Sequence, residues 1–350
     1  MQTAIPYMQI RGGSSKGIYF KAEDLPADPV ARDQVLLTAV GRDARQIDGL
    51  GGAHPLTSKV AIISPSSRDD ADVDYLFVQV VVGENRVDTT PNCGNILAGV
   101  GAFALESGLL AAEDGVTTVR VYMLNSGNRC DLQVQTPGGK VAYRGEARID
   151  GVPGTAAPVI CQYRDIAGSA CGSLLPTGQV LDRMQGLDVT CIDNGMPVVV
   201  VRAADLGKTG QESCAELSVD SEFRARLEAL RLEAGQKMNL GDVSRKVVPK
   251  MTLIAAPQQG GHVATRTFIP HDCHAAIGVL GAVSVATACI RPGSVAAGIA
   301  VVPDGDCKQL SVEHPSGEFS VELQLDAAGQ VEQAGLLRTA RLLSRGELYI

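Results

Sequence analysis

Two side chains of this sequence, Lys59 and Cys93, have the chemistry to move a proton, and they stand 34 residues apart. Lys59 directly precedes the apolar run VAII (60–63), which is typical of a β-strand. Its amine is therefore expected near the core, where burial lowers the pKa of a lysine and makes the group usable as a general base. Lysines at strand starts are also commonly solvated, so this position alone leaves both interpretations open.

Cys93 lies in the stretch TTPNCGNILAGVGAFALESG, whose small residues predict a helix over 95–107. Asn92 is a suitable N-cap, and the backbone N–H groups that follow it, including those of Gly94 and Asn95, have no partner within the helix. Together with the helix dipole they predict an anion-binding end that favours the thiolate of Cys93. The alternative is a small buried residue with no chemical role.

A glycine-rich stretch near the start, RGGSSKG (11–17), combines two cations with two hydroxyl groups. It fits neither the P-loop nor the dinucleotide-binding pattern. Glycine lets the backbone approach a ligand, and cations with hydroxyl groups suit carboxylates. The stretch predicts a carboxylate-binding loop, with an ordinary surface hairpin as the alternative; its candidate residues are Arg11, Gly13, Ser14, Ser15 and Lys16.

Further candidates lie in the second half of the chain. Asn194 and Met196 belong to the turn NGMP that precedes a predicted strand. His271 and His274 flank Cys273 and are expected to orient a substrate carboxylate. The run HDCH (271–274) is too tight for tetrahedral zinc ligation, so no metal site is predicted.

Composition limits the class of protein. The chain has 350 residues, 45% of them hydrophobic, and a formal net charge of −8 without any basic block. This excludes a nucleic-acid groove or an anionic membrane surface as the expected partner and favours a small molecule. Nine cysteines without CxxC spacing predict reduced thiols, and the N-terminus lacks a signal peptide, so a cytoplasmic protein is expected.

Short β-branched runs predict a largely antiparallel sheet protein with few helices. The runs fall at 60–63, 75–82, 116–123, 189–192, 196–203, 251–256 and 262–269, and the helical patterns at 31–40, 95–107, 221–234 and 274–289. The chain also repeats itself at offsets of 180 to 191 residues, because Lys59, Cys93 and the RGG turn reappear as Lys250, Cys273 and DNG. Two similar halves meeting near residue 185 are therefore predicted.

Taken together, the motifs resemble those of the PrpF-like family, which has the diaminopimelate epimerase fold. The similarity covers almost the whole chain and rests on RGGSSKG, DGLGGAHPLTSKVAII, VDYLFVQV, NCGNILAGVGAFA, IDGVPGT, IDNGMPVVV, MNLGDVS and FIPHDCHAAIGVLGAVSVATA. Within the family, these motifs are most similar to the 4-oxalomesaconate tautomerases and isomerases.

The resemblance implies an α+β protein of two similar domains, each a mostly antiparallel β-barrel around a central helix. The expected domains are 1–185 and 186–335, and the resemblance allows the segment 336–350 to complete the first. It implies Lys59 as the proton-transfer base, Cys93 as a nearby donor, and Cys273 as structural. The full set of expected substrate contacts is Arg11, Gly13, Ser14, Ser15, Lys16, Ser58, Asn92, Gly94, Asn95, Asn194, Met196, His271 and His274.

The implied activity is a cofactor-independent 1,3-proton shift in 4-oxalomesaconate or a similar tricarboxylate, within aromatic catabolism such as gallate degradation. The carbanion spreads into a carbonyl group, so neither metal nor cofactor is expected. One alternative is a cis–trans isomerase of 2-methylaconitate or aconitate, and another is a non-catalytic carboxylate-binding helper. An amino-acid epimerase with two facing cysteines is a weaker option. The expected partner is a small tricarboxylate rather than nucleic acid or membrane, with a homodimer as one option.

Overall fold

The computed structural model describes residues 2–89, 93–164 and 166–350 and divides into two compact units. Unit 1 is Met1–Arg164 with Leu336–Ile350, and unit 2 is Asp165–Gly335. The sequence had suggested a boundary at residue 185. The observed division falls earlier because residues 166–184 pair with β10 (Leu187–Asp193) and the turn after it. Ala167 forms a bridge with Asn194, the Gly168 N–H donates to the Asp193 carbonyl, and strand β9 (Asp182–Met184) forms a hairpin with β10.

Unit 1 holds nine strands and three helices among its described residues. The strands are β1 (Ala4–Gly12), β2 (Ser15–Lys21), β3 (Lys59–Pro65), β4 (Val73–Val81), β5 (Arg86–Asp88), β6 (Gly115–Met123), β7 (Arg129–Thr136), β8 (Pro158–Arg164) and the last part of β17 (Val331–Tyr349). The helices are α1 (Pro29–Val40), α2 (Gly94–Leu97) and α3 (Val100–Glu106).

Eight of these strands close into a barrel. The strand order around the barrel is β17, β1, β2, β3, β4, β6, β7 and β8. The barrel closes because β8 also pairs with β17. The pairs β2–β3 and β4–β6 are parallel. The pairs β17–β1, β1–β2, β3–β4, β6–β7 and β7–β8 are antiparallel. Closure leaves no free edge among the eight, which protects the sheet from pairing with other chains.

The glycine- and alanine-rich segment forms the two short helices that occupy this barrel. Helix α2 packs against β1, β2 and β3, and α3 packs against β3 and β7. Close packing depends on glycine, because a Cβ at Gly99 would overlap the hydroxyl group of Tyr19 on β2. That hydroxyl instead donates a hydrogen bond of 2.6 Å to the carbonyl oxygen of Ile96. On the other side of the wall, α1 packs its buried leucines against β2, β3 and β4.

Unit 2 repeats the plan around one longer helix. Its strands are β9, β10, β11 (Pro197–Arg202), β12 (Lys250–Ala255), β13 (Val263–Ile269), β14 (Asp272–Cys273), β15 (Cys307–His314), β16 (Gly317–Leu325) and the start of β17. Its helices are α4 (Cys214–Val219), α5 (Ser221–Lys237) and α6 (Val279–Ile290). The pairings β10–β11, β11–β12, β12–β13, β13–β15 and β15–β16 follow the same antiparallel and parallel order as β1–β2 through β6–β7.

The shared order of pairings confirms the internal repeat and the predicted fold class. Lys59 is the first residue of β3 and Lys250 the first of β12, while Cys93 and Cys273 precede the internal helices. All seven predicted strands are present. In the part of the chain that the structure describes, no helix combines the length and apolar character needed to cross a membrane.

Two predicted helix bounds were wrong. The helix expected at 274 begins at Val279, because Asp272–Cys273 pairs with β13 as a short strand and the N–H of His274 donates to the Thr267 carbonyl. The helix expected over 95–107 is broken between α2 and α3. Both differences lie in the helical stretch that follows a cysteine, Cys93 in unit 1 and Cys273 in unit 2.

Candidate active site

The structure brings Lys59 and Cys93 together. Lys59 is only 8% exposed, because its strand lies between β2 and β4 and its side chain shares the inner face with the barrel helices. Its Nζ lies 3.7 Å from the Sγ of Cys93, which is half-buried. An amine and a thiol at this distance can exchange a proton through a hydrogen bond.

Gln79 on β4 holds the lysine amine. Its Oε1 accepts a hydrogen bond of 3.0 Å from Lys59 Nζ. Its Nε2 donates to the carbonyl oxygens of Ser58 (2.9 Å), Pro55 (3.1 Å) and Val80 (3.2 Å). Because carbonyl groups only accept hydrogen bonds, they fix the amide with its oxygen toward the lysine.

Aromatic side chains complete the surroundings of the amine. The ring centroid of Phe77 lies 5.0 Å from Lys59 Nζ, a cation–π distance. The hydroxyl group of Tyr75 donates to the carbonyl oxygen of Cys93 at 3.4 Å, and burial followed by the nearby cysteine raises the pKa of this tyrosine. Within the described residues, no carboxylate forms an ion pair with Lys59. The amine therefore has no carboxylate counter-ion among the described residues.

Sequence reasoning missed Tyr75, Phe77 and Gln79, although a signal was present. The three alternate along β4 and therefore share one face of the strand. Gln79 lies opposite Lys59 in the strand register, so an inward-facing lysine would have pointed to it.

The thiol end of the site differs from the prediction. Cys93 itself occupies the N-cap position of α2, one residue beyond the expected cap at Asn92, which lies outside the described residues. The Cys93 side chain makes no capping hydrogen bond. Helix α2 has 4 residues. A single turn aligns few peptide dipoles, so the expected anion site loses much of its support.

The glycine-rich turn between β1 and β2 sits on the start of α2. Gly13 has a φ of +52°, and a Cβ there would overlap the side chain of Asn95. The Asn95 Nδ2 donates to Ser14 Oγ at 3.2 Å. Ser15 is buried, and its Oγ has no hydrogen-bond partner among the described residues. Gly13, Ser14, Asn95 and Gly94, the first residue of α2, are thereby placed beside Cys93.

Arg11, Lys16 and Ser58 point elsewhere. Lys16 pairs with Arg11 and the next residue, Gly17, pairs with Lys59, so Arg11 and Lys16 leave the sheet on the face opposite Lys59. The hydroxyl group of Ser58 donates at 2.8 Å to Gln46 Oε1 and also lies 2.9 Å from the His54 carbonyl. Their roles as substrate contacts stay predictions.

In unit 2, the turn between β10 and β11 is hydrogen-bonded to α6. The backbone N–H of Asn194 donates to Ser284 Oγ at 3.0 Å, and that hydroxyl group donates to the Met196 carbonyl at 2.7 Å. His274 Nδ1 accepts from the Ala276 N–H at 2.8 Å. The exposed His271 lies with its Nδ1 3.5 Å from Glu228 Oε2 on α5. Asn194 and Met196 are therefore brought together, whereas His271 packs against a different element.

The repeat places Lys250 and Cys273 at the positions that correspond to the candidate pair. Burial and then Arg231 lower the pKa of Lys250 to about 8. Burial raises the pKa of Cys273 to about 12, with a hydrogen bond to Cys214 adding to the effect. A thiol with this pKa stays protonated near neutrality, in keeping with a structural role. Among the described residues, no cluster of three or more His, Cys, Asp or Glu side chains could hold a metal ion.

A strand barrel around internal helices, with a buried amine in contact with a thiol, belongs here to an isomerase of the diaminopimelate epimerase-like fold. The chain belongs to the PrpF family, whose profile, described as "PrpF protein", matches residues 2–350.

Known relatives are similar to this chain over nearly the full length of both proteins. The 4-oxalomesaconate tautomerase of Pseudomonas putida is 60% identical over 350 residues, covering 100% of this chain and 97% of its own. The (4E)-oxalomesaconate Delta-isomerase of Novosphingobium sp. (strain KA1) is 58% identical, covering 99% of this chain and 97% of its own. A crystal structure of methylitaconate-delta-isomerase superposes with a TM-score of 0.92 at 35% identity, covering 100% of this chain and 96% of that one.

Proposed function

We propose that this protein is a cofactor-independent tautomerase that catalyses a 1,3-proton shift in 4-oxalomesaconate or a similar tricarboxylate. The observation that carries the proposal is the 3.7 Å contact between Lys59 Nζ and Cys93 Sγ inside the barrel of unit 1. The names of the two relatives near 60% identity support the choice of substrate. We further propose that the reaction takes place in the cytoplasm and serves the degradation of aromatic acids such as gallate.

The proton shift needs only the residues of the chain. The unprotonated Lys59 amine removes the acidic allylic proton and becomes an ammonium group, while the electron pair spreads through the double bond into the carbonyl oxygen. A proton then returns at the far carbon of the conjugated system. If the ammonium group returns it, the cycle closes at once. If the Cys93 thiol returns it, the ammonium group reprotonates the thiolate across the 3.7 Å contact.

Gln79 and Phe77 suit an amine that changes its charge during the reaction. The Oε1 of Gln79 accepts a hydrogen bond from the amine, and the face of Phe77 attracts a cation. Neither group carries a negative charge, so neither holds the lysine permanently as an ammonium ion. The carboxylates of the substrate can then provide the counter-charge.

Donors for the substrate carboxylates are available beside the pair. Ser14 and Asn95 carry a hydroxyl and an amide group at the start of α2, and Gly13 lets the turn approach closely. Asn194, Met196, His271 and His274 remain proposed contacts from unit 2. The role of Asn92 as a contact is likewise a proposal.

Ultraviolet spectroscopy of the purified protein tests the proposal. We expect the conjugated keto-acid absorbance of 4-oxalomesaconate to change on addition of enzyme, with no turnover of 2-methylaconitate. Turnover of 2-methylaconitate alone would select the cis–trans isomerase instead. No turnover of either compound would favour the non-catalytic helper.

A further inference from the structure

Unit 1 contains a cavity that neither Lys59 nor Cys93 lines. It has a volume of about 600 Å³ and is lined by the loop after β7, by the end of β1 and by β17. This volume is within the usual range for small-molecule sites. Three arginines line the cavity, namely Arg11, Arg144 and Arg341. Among the described residues that line it, Glu146 is the only one with an acidic side chain.

The positive charge around this cavity is poorly compensated. Arg11 Nη1 donates only to neutral oxygens, namely the carbonyl of Gly13 (2.9 Å) and the carbonyl (3.0 Å) and hydroxyl (2.9 Å) of Thr339. Burial and then the charge of Arg341 lower the pKa of Arg11. Within the described part of the chain, neither Arg144 nor Arg341 has a hydrogen bond or ion pair through its side chain. Arg144 and Arg341 are exposed, so water screens part of the repulsion among the three arginines, and an anion bound between them would relieve the rest.

The strand register separates this cavity from the candidate active site. Arg11 pairs directly with Arg341 on β17 and with Lys16 on β2. Lys59 pairs with Gly17, the next residue of β2. Side chains of successive strand residues point to opposite faces, so the guanidinium of Arg11 and the amine of Lys59 lie on opposite sides of the barrel wall.

We propose that this cavity is a second anion site, which binds a small polycarboxylate through Arg144, Arg341 and Thr339. Guanidinium groups match carboxylates through paired N–H donors, and two of the three arginines have these donors available. The volume is larger than one tetrahedral oxyanion fills, which favours a ligand with several carboxylates. The proposal does not depend on which substrate is turned over at Lys59.

Isothermal titration of the purified protein with citrate as the probe tests the site. Wild type is compared with the double variant Arg144→Gln/Arg341→Gln, with Lys59→Met, and with Arg148→Gln as the matched control. Arg148 is an exposed arginine of the same loop that does not line the cavity. We expect at least tenfold weaker citrate binding at this site in the double variant, and unchanged binding there in Lys59→Met and Arg148→Gln.

Activity measurements separate this site from the catalytic one. The double variant is expected to keep the kcat and KM of wild type within about twofold for the turned-over tricarboxylate. Citrate binding that is unchanged in the double variant would overturn the proposal. A tenfold rise of KM together with the loss of citrate binding would show that the cavity belongs to the catalytic site, which also overturns it. Inorganic phosphate binding as tightly as citrate would refute the polycarboxylate assignment.

Discussion

The amine of Lys59 and the thiol of Cys93 lie 3.7 Å apart, although 34 residues separate them along the chain. The relationship arises because β3 supplies one wall of the barrel and the segment before α2 enters that barrel. Burial at 8% exposure keeps the amine largely out of bulk water, where a base competes with solvent for protons. The contact is the structural basis of the proposed proton transfer.

Replacing Cys93 by serine is expected to reduce the reaction without abolishing it. A hydroxyl group is a much weaker acid than a thiol, but Lys59 can still return the proton itself. We expect kcat to fall by about tenfold to a hundredfold, within the range of general acid–base contributions. Steady-state kinetics measure the effect, and the exposed Cys307→Ser is the control. A complete loss of turnover would assign Cys93 an essential role.

The substitution Gln79→Leu removes the acceptor that orients the amine. Leucine also removes the amide donor from the carbonyl groups of Pro55 and Ser58, of which, among the described residues, only the Ser58 carbonyl keeps another donor, the Val80 N–H. The lysine therefore loses its hydrogen-bond acceptor and the side chain that is anchored to these carbonyl groups. We expect kcat to fall by roughly tenfold or more, since a small misplacement of a catalytic group is costly. Gln162→Leu, on β8 of the same barrel, is the matched control and should keep wild-type kcat. Equal kinetics of both variants would remove Gln79 from the mechanism.

Gly13→Ala tests the close packing of the glycine-rich turn against Asn95. Its φ of +52° and the overlap with Asn95 both disfavour a Cβ. We expect a loss of about 1–3 kcal/mol in the free energy of unfolding, and a rise in KM because Asn95 is displaced. Gly138→Ala is the matched control, since its φ is +65° with nothing within 4 Å. If the two variants were equally stable and equally active, close packing at Gly13 would be irrelevant.

The lowered pKa of Lys250 predicts that the stability of the protein depends on pH. Its pKa is about 8 in the folded protein, against 10.5 in the unfolded chain. Between these values the unfolded chain binds more protons, so this lysine makes the free energy of unfolding rise with pH from about 8 to 10.5. Below this window the buried charge is destabilising. Denaturant titrations of Lys250→Met should give greater stability than wild type at pH 7 and a shallower rise above pH 8. The exposed Lys140→Met should follow wild type, and identical pH profiles for all three proteins would refute the assignment.

Much of the fold was accessible from local patterns. The run after Lys59 predicted β3, and the recurrence of Lys59 and Cys93 as Lys250 and Cys273 predicted two similar halves. The strand β17 was not predicted, because it passes from one unit to the other and its long-range pairing with β1 has no local signal. Long-range register also decides side-chain direction, which is why Arg11 leaves the sheet opposite Lys59.

The candidate site was accessible in part. A lysine at a strand start and a cysteine before a small-residue segment suggested the pair. Neither sequence pattern predicts the distance between the lysine Nζ and the cysteine Sγ. Gln79 carried no motif, since a glutamine in an alternating strand resembles any solvent-facing residue. The cap at Cys93 and the late start of α6 depended on local pairing that competes with helix propensity.

Proton exchange with solvent measures the role of Lys59 most directly. The purified enzyme is incubated with 4-oxalomesaconate in D₂O, and deuterium incorporation at carbon is followed by ¹H NMR for wild type, Lys59→Met and Lys250→Met. We predict incorporation by wild type and Lys250→Met, and a rate at least about a thousandfold lower for Lys59→Met. Incorporation by folded Lys59→Met at the wild-type rate would contradict the assignment of Lys59 as the base.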